Sequence, residues 1–383
     1  MTPTPSHARR PHLLLVGAGN AHLHLIRHRH RFGGAEVTLV DPGGFWYPGL
    51  AGGMLGGRLS AAEDRLDPAP LALRHDVTPI RGRLASLDPE ARVARLEDGR
   101  ELDFSLLSLN LGSAVRMPAP ATPGPRVWAV KPFPQLLALR HSLEKAFSRG
   151  LEPRLVVVGG GPSGVEIACQ LRELARRCHA RAEILLVTRG EQLLEGAPAG
   201  AIRWLMRHLS RQDIGVRFGM DVAGHARDGV TFTTASNAWG EDSLQLLAAD
   251  HVVHAAGLAP PAVVEHLGLP LIPGRGLAVE ETLQSPGNPD IFAVGDCAAL
   301  MNQVLPRLIL HDLQQATVLI DNLAARLSGG TPRRYVPQQL AVTILDLGSK
   351  GLAIRGRRWW GGRLALACKR RLDGRVLQRL RTR

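Results

Sequence analysis

Residues 12–22 read HLLLVGAGNAH and residues 36–41 read EVTLVD. An apolar pentad, a glycine turn, a helical stretch through about Arg31, a second apolar run and a terminal acid make one βαβ unit. Gly17 permits the tight turn. Gly19 has no side chain to hold a pyrophosphate away from the helix N-terminus, where free N–H groups and the helix dipole favour anions. Asn20 and His22 belong to the same candidate binding turn. His22 stands where the third glycine usually sits, so helix and strand are expected to pack less closely. Asp41 is placed to take the hydroxyls of an adenosine ribose. A lone glycine turn would be weak evidence. With the strand before it, the helix after it and the acid about 20–25 residues on, it predicts an ADP-binding site.

The unit recurs. RLVVV (154–158) runs into Gly159-Gly160-Gly161, a helix starts near Ser163, and EILLV (183–187) follows. Gly159, Gly161 and Gly164 are all present, so a second nucleotide is expected there. The position equivalent to Asp41 is taken by Thr188-Arg189. A carboxylate would suit a free 2′-hydroxyl; Thr-Arg suits a 2′-phosphate or marks a degraded site. Between the units, residues 80–112 alternate as a meander broken by Asp-Pro and Asp-Gly turns, and Pro118–Pro125 forms a link. A helix is predicted over about 134–148 and a second meander over 215–256. The fold class expected is α/β: two Rossmann-like dinucleotide-binding domains and a small C-terminal α+β unit. The first domain is expected over 1–125 and 285–331, the second over 126–284 and the last unit over 332–383.

Composition narrows the function. The 383 residues are 45% hydrophobic, which excludes a disordered chain, and only four are cysteine, which excludes a disulfide scaffold. No apolar stretch approaches the ~18 residues of a spanning helix. The N-terminal Arg pair and Leu run imitate a secretory signal but break into the glycine turn, so a cytoplasmic location is expected. The net charge is +13, and residues 349–383 carry twelve basic residues against Asp373 alone, leaving the body nearly neutral. Leu372, Val376, Leu377 and Leu380 recur at helical spacing below Trp359-Trp360, the pattern of a segment lying on an anionic bilayer. The alternatives are a solvated basic tail and a nucleic-acid partner; sparse aromatics elsewhere do not favour the latter. His22, His24, His28 and His30 would point to different sides of a helix, so no metal site is expected.

Two dinucleotide units in one chain suggest one cofactor delivering electrons to another. At this point the chain resembles the FAD/NAD(P)-dependent pyridine nucleotide-disulfide oxidoreductase superfamily, which implies FAD in the first domain and NAD(P)H in the second. LLSLNLGSA, containing Gly112, and HVVHAAGLAPP, containing Gly257, resemble the segments that close each nucleotide domain. IFAVGDCAAL resembles the second flavin motif, implying that Gly295 forms the turn and Asp296 bonds the ribitol. GAGNAH, WYPGLAGGMLGG (46–57) with Pro48, AVKPF (129–133), GGGPSGVE and LPR (305–307) are similar to type II NADH dehydrogenases and to the flavoprotein module fused to selenophosphate synthetases. The resemblance places Glu166 near flavin and nicotinamide; its alternative is a helix carboxylate satisfied by a neighbouring backbone. Lys131 is a candidate cation beside the flavin pyrimidine, or else a surface ion pair. Gln315 is the glutamine kept from an AQxAxQ-like helix that meets flavin and quinone, here Leu310-His311-Asp312-Leu313-Gln314-Gln315.

The cysteines exclude one mechanism. A disulfide reductase needs a closely spaced pair beside the flavin, and Cys169 and Cys178 are nine apart, roughly 13 Å along one predicted helix. The expected function is therefore a flavoenzyme at the inner face of the cytoplasmic membrane, taking a hydride from NAD(P)H and passing electrons to a quinone-like acceptor. The alternatives are reduction of a small selenium, sulfur or other non-quinone acceptor, and a non-catalytic flavin-bearing interaction protein.

Overall fold

The computed structural model describes residues 10–121, 123–234, 243–305, 307, 309–337 and 342–381. The first sheet is built on β1 (His12–Val16), which is buried on both faces, as a near-continuous apolar strand of a parallel sheet must be. α1 (Asn20–Ile26) and β2 (Glu36–Asp41) follow, then α2 (Pro48–Leu55), β3 (Thr78–Arg81) and β4 (Leu106–Leu109). The second domain contains β5 (Arg126–Ala129), α3 (Pro134–Phe147), β6 (Arg154–Val158), α4 (Pro162–Arg177), β7 (Glu183–Val187), α5 (Ala199–Arg211), β8 (Ile214–Arg217) and β9 (His251–His254). β10 (Asn288–Ala293) and α6 (Ile309–Ser328) return to the first domain. The chain ends in β11 (Thr343–Asp346), β12 (Gly351–Arg355), β13 (Arg358–Gly362) and α7 (Arg363–Arg381).

Both large sheets follow one plan. The first runs β10-β4-β1-β2-β3, with Gln284–Ser285 antiparallel on its edge, and the second runs β5-β9-β6-β7-β8. All pairs within these two runs are parallel. In each sheet the central strand, β1 or β6, feeds a glycine turn where the strand order reverses, which is where open α/β sheets bind ligands.

The two expected meanders are shorter than predicted. Leu84–Asp88, Val93–Leu96 and Glu101–Asp103 pair antiparallel, whereas the ends of that stretch join the parallel sheet as β3 and β4. Likewise Met220–Ala226, Gly229–Thr234 and Ser243–Ala248 form an antiparallel sheet between β8 and β9. The return to the first domain comes earlier than residue 285. Leu258–Ala259 pairs with Ala114–Val115, and Val264, Leu267, Leu277, Val279 and Leu283 lie in the first core. Tertiary packing decides this boundary, and the composition of 258–284 does not announce it.

His22 explains how α1 sits on its strand without a third glycine. The ring is fully buried, with Nδ1 2.6 Å from the Gly17 carbonyl and Nε2 2.8 Å from the Ser108 hydroxyl on β4. A carbonyl can only accept, so Nδ1 donates and Nε2 accepts from Ser108; the ring is neutral. Burial pushes its pKa down to about 4. Expected among the cofactor-contacting residues, His22 instead supports the turn from beneath.

The C-terminal unit is an antiparallel sheet of β11, β12 and β13 covered by α7, and it packs on both domains. Leu345, Leu347 and Leu352 enter the second core, and Leu377 enters the first. Two contacts without Cβ atoms seat it on α5. A Cβ on Gly361 would fall 2.5 Å from the Trp204 ring, and one on Gly200 3.0 Å from Trp359. The expected membrane-facing stripe is therefore divided. Leu377 is 7% exposed, whereas Leu372 and Leu364 are 46% and 83% exposed. The Leu380 side chain lies outside the described residues. Among those residues no helix is long and apolar enough to cross a membrane.

Because Ala365, Leu366 and Leu377 are buried, deleting residues 363–383 should cost roughly 3–6 kcal/mol. The melting temperature should then fall by about 5–15 °C in calorimetry, and an unchanged melt would show that α7 is not part of the fold. A second expectation concerns acid. His22, His251 and His254 are each pushed down to about 4 by burial, so below about 6.5 the unfolded chain binds protons that the folded chain refuses. Stability should fall steadily from pH 6.5 to 4, by up to about 1.4 kcal/mol per pH unit for each ring. His22→Gln should flatten that dependence in urea titrations; an unaltered slope would contradict the burial argument.

Candidate functional site

The first glycine turn is shaped by what surrounds it. Gly17 has φ +90°, and a Cβ there would lie 2.4 Å from the Asn110 carbonyl oxygen. A Cβ on Gly19 would lie 1.9 Å from Asn110 Oδ1. Asp41 accepts from the Ala18 N–H at 2.9 Å and the Gly43 N–H at 2.8 Å, tying the turn to the loop after β2. A carboxylate has about four acceptor positions, so ribose hydroxyls can still be received. Buried Asn20 Oδ1 and Asn110 Oδ1 have no hydrogen-bond partner in the protein. Such atoms call for a donor, which the hydroxyls of a bound dinucleotide or an ordered water supply. Cradle, carboxylate and unpaired acceptors fit an adenine dinucleotide.

The second flavin motif meets residues from three other segments. Lys131 Nζ lies 2.8 Å from Asp296 Oδ2 and donates to Ser113 Oγ at 2.8 Å; Ser113 in turn donates to Asp296 at 2.6 Å. Lys131 is thus an ion-pair partner, though not a surface one: both charged side chains are about four-fifths covered, at 19% and 20% exposure. Burial opposes the Asp296 charge, but Lys131, Ser113 and Arg307 together hold its carboxyl below the usual range. Arg307 reaches the carbonyls of Leu258, Arg275 and Asp296. Pro306 lies outside the described residues. Gln315 Oε1 accepts the Gly295 N–H at 2.7 Å, so this glutamine, expected to meet flavin and acceptor, secures the turn that presents Asp296. A cavity of about 130 Å³ opens here, lined by Asp296, Arg307, Asp312, Gln315, Val279 and Leu300.

At the second turn, Gly159 has φ +129° and a Cβ on Gly164 would fall 1.8 Å from the Gly159 carbonyl oxygen, so only glycine lets α4 approach β6 this closely. Gly161 caps α4, and a Cβ there would meet no protein atom. Ser163 stands in the helix's first turn. Thr188 is buried, with Oγ1 accepting the Gly190 N–H at 3.2 Å, while Arg189 is 81% exposed and only 3.7 Å from Asp221. The guanidinium is available to a ligand. Gly112 and Gly257, both at φ +72°, make the turns after β4 and β9.

Glu166 is met by a backbone group. Its Oε1 accepts the Asp346 N–H at 2.7 Å. Burial pushes its carboxyl up to about 7, against the opposing pull of Lys369. Lys369 pairs with Asp373 at 3.0 Å and donates to the Gly49 carbonyl at 3.4 Å. Tyr47 donates to Asp373 at 3.4 Å, and Arg370 pairs with Asp346 at 3.1 Å. Pro48, between Tyr47 and Gly49, is thereby clamped under α7. All four cysteines are unpaired, and burial pushes the Cys297 thiol up to about 12, so no thiolate stands at this site.

Asn110, Ser113, Asp312, Lys369 and Asp373 escaped the sequence reading. Asn110 had a usable signal, a polar residue inside the apolar run LLSLNLG. Asp373 was visible only as the single acid of a basic segment, and pairing within that segment was not.

Residues 11–316 match the family model described as pyridine nucleotide-disulphide oxidoreductase. The chain is 27% identical over 337 residues to the nitric oxide reductase FlRd-NAD(+) reductase of Aeromonas salmonicida, covering 84% of this chain and 77% of the relative. It is 27% identical over 263 residues to demethylphylloquinone reductase NdbB of Synechocystis, covering 67% and 62%. Of several other curated relatives, too, the chain spans less than two-thirds of their length. The fold is shared with the sulfide:quinone oxidoreductase of Aquifex aeolicus at a TM-score of 0.82 and 17% identity, covering 97% of this chain and 91% of that one. These likenesses set aside the non-catalytic reading. The chain belongs to the pyridine nucleotide-disulphide oxidoreductase family, as an NAD(P)H-dependent flavin oxidoreductase that uses FAD.

Proposed function

We propose that the protein works on a membrane surface, taking a hydride from NAD(P)H onto FAD and delivering the electrons to a quinone-like acceptor. The observation that carries this reading is the two-sided C-terminal unit. Its inner side holds Tyr47 and Gly49 through Asp373 and Lys369. Its outer side exposes Trp360, Leu364 and Leu372 among Arg357, Arg358, Arg363, Arg371 and Arg375. Apolar anchors among cations suit an anionic bilayer, where each basic residue adds about 1 kcal/mol. A bilayer is also where apolar acceptors reside. With every cysteine unpaired, electrons need no thiol relay on their way out. The relative named demethylphylloquinone reductase supports the acceptor class. Relatives named for putidaredoxin and FlRd favour the second reading, a non-quinone acceptor.

FAD, when bound, supplies the chemistry of accepting a hydride and giving the electrons up again. The chain binds and orients. Gly17, Gly19 and Asp41 seat the ADP half. Asp296, fixed by Lys131 and Ser113, offers its carboxylate to the ribitol. Gly159, Gly161 and Gly164 admit the nicotinamide nucleotide. Glu166, whose carboxyl lies near neutrality, can hold or release a proton beside Lys369.

Coenzyme choice follows from Arg189. NADPH should bleach the flavin absorbance faster than NADH in anaerobic stopped flow, by about tenfold for one charge-assisted contact. Arg189→Glu should invert the order; an unchanged preference would leave Arg189 a solvated side chain. For the membrane, the protein should sediment with anionic vesicles at low salt. Leu364→Ser with Trp360→Ser should weaken that several-fold at unchanged flavin content. Equal binding by the double variant, or none by the wild type, would overturn the membrane reading.

A further inference from the structure

Asp312 is a carboxylate that the proposed function leaves without a task. It stands in the first turn of α6, between the two glycine turns that serve opposite halves of the cofactor. The Asn20 side chain donates to it from the first turn, and Asn110 Nδ2 lies 3.4 Å from its Oδ1. A Cβ on Gly295, in the second turn, would fall 2.9 Å from the same oxygen. The ADP half belongs to the turn of Gly17 and the ribitol to Asp296. A pyrophosphate joining those halves would bring its negative charge towards Asp312, which stands against both turns.

We propose that Asp312 couples flavin binding to proton uptake: the site takes FAD with Asp312 protonated, and ionisation of this carboxyl loosens the cofactor. The proton comes from solvent when the cofactor enters and returns to solvent when it leaves. The surroundings agree. Burial pushes Asp312 up to about 6, the Asp296 charge adds to the rise, and Asn20, Asn110 and Lys131 oppose it. Other charged and titratable groups face the same cavity. Asp296 is held ionised by Lys131, and Arg307 and Arg275 donate to backbone carbonyls. His311, which lines the same cavity and bonds Tyr335, is shifted down by burial, and His22 beneath the turn sits at about 4. A phosphate beside an ionised carboxylate is a like-charge contact that protonation removes.

The test is flavin release from the holoprotein, followed by the rise of flavin fluorescence from pH 5.5 to 8. Release from the wild type should accelerate several-fold between pH 6 and pH 8, bounded by tenfold per unit for one proton. Asp312→Asn should release slowly at every pH. Asp296→Asn should release faster throughout yet keep the slope. A pH-independent wild type, or a wild-type slope surviving in Asp312→Asn, overturns the proposal. Should Asp312→Asn fail to fold, the wild type still decides. In weak buffer near pH 7 an indicator dye should record up to one proton released with each flavin, and release without a proton overturns the coupling. Flavin retention is read without any acceptor, so failure here leaves the proposed acceptor chemistry untouched.

Discussion

Asn110 allows no Cβ at three of the glycines that build the candidate flavin site. Its carbonyl oxygen faces Gly17, its Oδ1 faces Gly19 and its Nδ2 faces Gly295, each at a distance no real Cβ tolerates. The residue is held in turn by two strands: its N–H donates to the Val16 carbonyl and its side chain to the Val294 carbonyl. One side chain at the end of β4 therefore sets the spacing between the first and second flavin motifs, which are far apart in sequence. A larger residue at any of the three glycines would push the turns apart. The ligand cradle is a packing consequence of where β1, β4 and β10 end.

Charge joins the domains as well as apolar packing, in which Ala51, Met54 and Leu55 of α2 enter the second core. Lys131 leaves the end of β5, in the second domain, and pairs with Asp296 in the first. Glu166 of α4 accepts the Asp346 N–H of the C-terminal unit, within which Asp346 also pairs with Arg370. A partly buried pair broken on one side leaves an uncompensated charge, so such pairs specify which surfaces meet more than they add net stability. Here the surfaces so specified are those that present Asp296 and cover Pro48.

The parallel sheets and both nucleotide turns were legible because each rests on local chemistry: apolar pentads, glycines at fixed offsets and an acid at the end of β2. The Rossmann-like plan follows from those alone. The boundary near 258 was not legible, because the side chains of Val264 to Leu283 choose the first core by proximity rather than by composition. His22 misled for a related reason. Its position in the motif suggested a ligand contact, while its two ring nitrogens are spent on Gly17 and Ser108, a partner 86 residues away in sequence. Gln315 and Lys131, expected beside the flavin, have as partners a backbone N–H and a carboxylate that only folding brings near.

The C-terminal segment shows how far net charge can stand apart from exposed charge. Counted along the chain, twelve cations face a single acid and the segment reads as one basic tail. In space, the helical period separates them. Lys369 and Arg370 turn inward to Asp373 and Asp346, while Arg363, Arg371, Arg375 and Arg379 turn outward. Asp373 itself is drawn inward by Lys369 and Tyr47, so it no longer offsets the outer face. The same helix thus completes the buried acid–base cluster around Glu166 and presents a row of exposed arginines to solvent. The element whose outer face carries these arginines is therefore fixed on its inner face to Tyr47 and Gly49.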